Sequence, residues 1–120
     1  IVDRGPDSLK IIEHLQQLQR QAPRSGGQVI VLVGNHEAMM MTGDLRYVHP
    51  GEYQAFVTRA SERIRSEAYT RNKLAIEAAY RRDRPTMPSE AIRDAWLKAT
   101  PLGQMEHQAA WSPGGRLGRW

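Results

Sequence analysis

The sequence predicts an α/β fold built on one βαβ unit and followed by a mainly helical stretch. Three observations carry that expectation. Val29-Ile30-Val31-Leu32-Val33 is a run of five apolar residues, four of them β-branched, which is the pattern of a strand buried on both faces of a parallel sheet. Ile1-Val2, ahead of Gly5-Pro6, reads as the end of a second strand. Between them lies an amphipathic stretch long enough to be the helix of a right-handed crossover.

Taken in order, Gly5 and Pro6 stop the first strand, and Asp7 or Ser8 is placed to cap a helix. From Leu9 to about Gln21, Ile11, Leu15, Leu18 and Ala22 share a stripe with Ile12 beside it, while Glu13, Gln16, Gln17 and Arg20 take the other side. Pro23 and Ser25-Gly26-Gly27 end that helix and lead into the central strand. Gly34 breaks the strand and Asn35-His36-Glu37 follow at once. Met39, Met40 and Met41 read as adaptable core filler. The stretch 42–48 reads as a turn and a short extended piece closed by His49-Pro50-Gly51. From Glu52 to about Arg82 one helix is expected, with Tyr53, Phe56, Val57, Ala60 and Ile64 on its apolar stripe. Pro85 and Pro88 break it. Ser89 looks like the cap of another helix, which has Ile92, Ala95, Trp96 and Ala99 inside, and a short segment from Met105 to Trp111 precedes a final Gly-rich turn. Residues 1–48 are thus expected to form the βαβ core and 49–120 a helical insertion in the same domain.

The composition narrows the chemistry. With no cysteine in 120 residues, thiolate metal sites, disulfides and a cysteine nucleophile are excluded from the chain. No apolar run is long enough to span a membrane. Between Arg59 and Arg84 there are eight basic residues and four acidic ones, which accounts for the whole net charge of +4. A basic helical face can bind nucleic acid or anionic lipid. Here Glu62, Glu67 and Glu77 are interleaved, the pattern of a solvated face laced with ion pairs, so no nucleic-acid partner is expected. The chain lacks an initiator Met, and it reads as an internal segment truncated at both ends.

The βαβ geometry has a chemical consequence. Parallel strands bring their carboxyl ends to one sheet edge, where open α/β sheets bind ligands. Asp3-Arg4 and Asn35-His36 would meet there although some thirty positions separate them. An Asn amide oxygen is a hard neutral ligand suited to manganese, magnesium or iron. His36 can act as a general acid, Asp3 can orient it, and Arg4 offers a planar fork for phosphate oxygens. The parts describe a phosphoester site. His14 and His107 read as structural.

These words match a family. Asp3-Arg4-Gly5 and Gly34-Asn35-His36-Glu37 resemble the second and third signature motifs of calcineurin-like metallophosphoesterases of the phosphoprotein phosphatase type. The first of them is usually Gly-Asp-x-x-Asp-Arg-Gly, so the chain would begin at its two variable positions, Ile1-Val2. Gly43-Asp44-Leu45-Arg46-Tyr47-Val48, Glu106-His107 and Gly118-Arg119-Trp120 look like the insertion of the bacterial Shewanella-like phosphatase branch. The resemblance implies part of a β-sandwich with flanking helices, and in the complete protein two divalent ions, manganese, iron or zinc. Carried over, Asn35 is a metal ligand that also contacts phosphate, His36 protonates the leaving oxygen, Asp3 orients His36, and Arg4 binds phosphoryl oxygens. A metal-bridged hydroxide would be the nucleophile.

The remaining family ligands have no match here, so the chain by itself is expected to be inactive and the longer protein to be a phosphomonoesterase. Its substrate would be a phosphorylated protein, on Ser/Thr or Tyr, or a small phosphoester. A dinucleoside-polyphosphate hydrolase shares both motifs, and a non-catalytic basic binding module is the rival from outside enzymology. Compartment and oligomeric state stay open.

Overall fold

The structure is a computed structural model that describes residues 1–2 and 4–120; Asp3 lies outside the described residues. Its elements are α1 (Ser8–Gln21), a 3₁₀ turn (Ala22–Ser25), α2 (Asn35–Met41), a 3₁₀ segment (Pro50–Phe56), α3 (Ser61–Asp83), α4 (Ser89–Ala99) and α5 (Gln104–Trp111). No strand occurs among the described residues, which overturns the α/β expectation and its βαβ unit. Val29–Val33 is irregular, and Ile30, Leu32 and Val33 are 70%, 78% and 72% exposed. The physical reason is that a strand exists only as a member of a ladder. The expected partner, Ile1-Val2, has its Val2 N–H committed elsewhere, to the Glu37 carboxylate at 3.2 Å.

The core is instead helix on helix. Val2, Ile12, Met40, Phe56, Trp111 and Leu117 form one buried cluster, flanked by Leu9, Met41, Val48 and Ala110. Ile12 rather than Ile11 is the centre of the buried face of α1, for Ile11 is 44% exposed. The start of α1 is capped from a distance: the Ser8 N–H donates to Oε1 of the buried Glu52 at 2.9 Å. Asp7 pairs with Lys10 instead of capping. Gln19 ties both arms of the chain to α1, donating to the Val29 carbonyl and accepting from the Trp120 indole.

The single long helix expected from Glu52 is divided. The Thr58 N–H donates to the Ser61 hydroxyl at 2.8 Å, and the Ala60 N–H to the Thr58 hydroxyl at 3.2 Å. Such local side-chain bonds compete with helical ones, so the 3₁₀ segment ends at Phe56 and α3 restarts at Ser61. The Ser61 hydroxyl also donates to Glu106, joining α3 to α5. His107 is fully buried on α5, with its ring edge-on to Tyr53 and Phe56 and near Trp111.

Helix α3 packs along α4, and two arginines stitch the pair. Arg65 donates to the Leu97 and Thr100 carbonyls where α4 ends, a favourable place for a cation. Arg81 donates to the Met87 carbonyl, the Ser89 hydroxyl and Glu77. Arg63 pairs with Glu67, and Lys73 lies 3.9 Å from Glu77. Much of the basic run is therefore absorbed in holding the hairpin or in i,i+4 pairs.

The carboxylate of Glu37 closes the other end of the molecule. Gly34, at the N-cap of α2, has no side chain to cap with, and Glu37 reaches back to its N–H at 2.9 Å through Oε2. Oε1 takes the Val2 N–H at 3.2 Å. Burial pushes the Glu37 carboxyl up. Bonds from its own backbone N–H and from the Val2 N–H are among the contacts that outweigh this and hold it below the usual carboxylate range.

Two outcomes follow from this architecture. Because the Glu37 pKa is lower folded than unfolded, its contribution is complete above the ordinary carboxylate pKa and is lost as pH falls through the folded value. Thermal unfolding of Glu37→Gln should show a lower midpoint than wild type at neutral pH and a smaller decline between about pH 5 and 3. A variant that tracks wild type at every pH would remove the clamp from the account. Gly103 holds φ 86° where a Cβ would strike the Tyr53 carbonyl. Gly103→Ala should lower stability by about 2–4 kcal/mol in urea unfolding.

Candidate functional site

The Gly34-Asn35-His36-Glu37 turn is the first turn of α2 rather than a polar strand end. Asn35, its first helical residue, is exposed, and His36 is half-buried. Glu37, expected to face the crevice beside them, points back to the chain start. That clamp draws Val2, and with it the Arg4 segment, against α2. Arg4 adopts φ 64°, the left-handed region that costs a non-glycine residue about 1–2 kcal/mol, as the chain turns sharply from Val2 toward α1.

The loop after α2 supplies the meeting point. The Asp44 N–H returns to the Met39 carbonyl at 2.8 Å and the Val48 N–H to the Leu45 carbonyl at 3.1 Å. Tyr47, between them, has its ring centroid 5.4 Å from that of His36, tilted by 55°. The Arg4 Cζ lies 5.8 Å from the same ring, and so does the Arg46 Cζ. Asp44 grips Arg46 in a fork, 2.9 Å to Nε and 2.7 Å to Nη2. The hydrogen bond from Arg46 holds the Asp44 carboxyl below the usual range, and the same bond pushes the Arg46 guanidinium up.

The structure thus brings Arg4 and His36 to one aromatic ring and places Asn35 next to His36 in sequence and helix. Asp3, the expected orienting carboxylate, lies outside the described residues. Tyr47 and the Asp44–Arg46 pair escaped the sequence reading as site residues. The available signal was an aromatic residue beside an Asp-x-Arg pair, a few positions beyond the polar turn.

A pair of divalent ions does not fit the described residues by themselves. Among them, no three His, Cys, Asp or Glu side chains gather where an ion could be held. Asn35 brings one amide oxygen. A small apolar cleft of about 70 Å³ opens between Val2, Val33, Ile12, Trp111 and Trp120, and none of Arg4, Asn35 or His36 lines it. The polar chemistry and the apolar cleft are separate features on either side of Glu37.

No protein-family profile matches the chain, and no solved structure matches it significantly. Curated proteins are similar to parts of it. An uncharacterized protein of Schizosaccharomyces pombe is 45% identical over 62 residues, 52% of this chain and 19% of that protein. Shewanella-like protein phosphatase 2 of Arabidopsis thaliana is 48% identical over 48 residues, 40% of this chain and 12% of that protein. Shewanella-like protein phosphatase 1 of Plasmodium berghei is 36% identical over 56 residues, 47% of this chain and 16% of that protein. The chain spans less than a fifth of the length of these relatives. Its likeness to the Shewanella-like phosphatases is partial, and the relatives so named come from a plant and from Plasmodium, which lends nothing to a bacterial placement.

Proposed function

We propose that the protein carrying this chain is a phosphomonoesterase acting on phosphorylated proteins. The observation that carries the reading is the sharing of one Tyr47 ring by Arg4 and His36, in a chain part of which resembles proteins named as phosphatases. A guanidinium fork and an imidazole gathered at one ring are groups that a phosphoester can use at its two ends. The fork binds non-bridging oxygens. The imidazole gives a proton to the leaving alkoxide or phenoxide. In this reading Asn35 turns its amide oxygen toward the phosphoryl group and a divalent ion, and Asp3 orients His36.

The family resemblance adds two metal ions, manganese, iron or zinc, and their chemistry would be activation of the attacking water. The described residues of this chain contribute the clamp and the acid. A proton donor matters most where the departing oxygen is basic, so the reading has a sharp kinetic consequence.

In the full-length protein, His36→Asn should lower kcat on an alkyl phosphate or phosphoserine peptide by about 10²–10⁴-fold. Arg4→Ala should act mainly through a raised KM. Steady-state rates of phosphate release measure both. A His36→Asn enzyme with wild-type kcat on these esters would overturn the assignment.

A further inference from the structure

Beyond Arg4 and His36 themselves, the geometry points to a third participant, and this inference rests on the phosphatase reading given above. We propose that Tyr47 is a positioning residue: its ring holds the Arg4 guanidinium and the His36 imidazole in register with each other. It touches neither the ester nor the departing oxygen. It acts through the two groups that do.

Three features of the loop support the assignment. First, the ring makes its contacts to both groups at once, 5.4 Å between centroids for His36 and 5.8 Å from the ring centroid to Cζ for Arg4. An aromatic face attracts a guanidinium through its quadrupole and packs an imidazole through dispersion. Second, the loop itself is anchored on both sides of Tyr47. The Asp44 N–H is bonded to the Met39 carbonyl, and Val48 packs against the core. Gly43, at φ 82°, makes the sharp exit from α2 that aims the loop back. A ring on a pinned loop can restrain a long flexible arginine, whereas a ring on a loose one would follow it.

Third, the electrostatics are balanced. Arg46 also lies 5.8 Å from the ring, and two bare guanidiniums around one ring would repel each other. Asp44 neutralises Arg46 through its two-point grip. Arg46, with its charge balanced in this way, serves to fix the ring against which Arg4 rests. The whole set, Asp44 to Arg46 to Tyr47 to Arg4 and His36, joins the loop to the chain start and to α2.

The contacts run through the ring face and not the hydroxyl, so Tyr47→Phe should keep them and Tyr47→Leu should lose them. Tyr47 is 47% exposed and belongs to no buried cluster, so both variants leave the core intact. The full-length protein is assayed with p-nitrophenyl phosphate, whose leaving group needs no proton, and with phenyl phosphate, whose leaving group does. Tyr47→Leu should lower kcat on phenyl phosphate by about 10–100-fold with less than about a 3-fold change on p-nitrophenyl phosphate. Tyr47→Phe should restore both. A purely structural role would lower both esters equally, and that result overturns the proposal.

A second readout does not depend on catalysis. The ring-current shift of the His36 Hε1 proton in NMR should be lost in Tyr47→Leu and kept in Tyr47→Phe. An unchanged shift in the Leu variant refutes the positioning role. A lost shift in a protein whose wild type hydrolyses neither ester instead keeps the positioning and refutes the phosphatase reading.

Discussion

One carboxylate, that of Glu37, fixes the end of the molecule where chemistry is proposed. Its two oxygens serve different masters: one satisfies the Gly34 N–H at the start of α2, the other the Val2 N–H thirty-five positions earlier. Unsatisfied N–H groups at a helix start must find partners, and here the helix supplies its own from the N3 position. The second oxygen then imports the start of the chain. Val2 drops into the core beside Ile12, Met40 and Trp111, so an electrostatic contact at the rim and apolar burial beneath it reinforce one another. The Val2 bond and that from its own backbone N–H help to hold the carboxyl below its usual range.

How much of this the sequence disclosed depends on which force decided each element. Helices with a clear apolar periodicity were legible: α1, α4 and the short α5 segment fall where the apolar spacing and the prolines put them. Neither Asp7 nor the expected cap Ser89 caps its helix, Ser89 being the first helical residue of α4 and an acceptor for Arg81. Elements settled by partners were not. Val29–Val33 has the composition of a buried strand, yet composition cannot provide the neighbouring backbone that a strand requires. Here Ile30, Leu32 and Val33 are exposed, and Val29 and Val31 only half-buried. The long helix from Glu52 failed for the opposite reason, because two small hydroxyl side chains, Thr58 and Ser61, divert backbone bonds that periodicity assigned to a continuous helix.

The site shows a subtler case. Reading Asp3-Arg4 and Asn35-His36 as neighbours assumed two parallel strands delivering them to one edge. The described residues bring Arg4 and His36 around a common ring without any such ladder, by the Glu37 clamp and the returning loop 42–48. The glutamate that ends the Gly-Asn-His-Glu word looked like a member of the crevice and is instead the brace behind it. Tyr47, read as part of a turn and short extended piece, is the surface against which two candidate groups rest. Side chains that organise a site are hard to read from sequence because their work is done through contacts far from their own position.

The charge distribution points the same way. On the arginine-rich stretch of α3, Arg65 donates to the Leu97 and Thr100 carbonyls, Arg81 to the Met87 carbonyl, Ser89 and Glu77, and Arg63 to Glu67. These contacts stitch the hairpin of α3 and α4, in a molecule measuring 65 × 29 × 24 Å. At the opposite end, Arg4 stands at the rim in a strained backbone conformation and is seated on an exposed ring. Backbone strain persists only where surrounding structure over-determines it, and the clamp on Val2 and the anchored loop under Tyr47 are what over-determine it here. Under the phosphatase reading, a guanidinium whose backbone and ring contact are set beforehand loses little further freedom when a phosphate is bound.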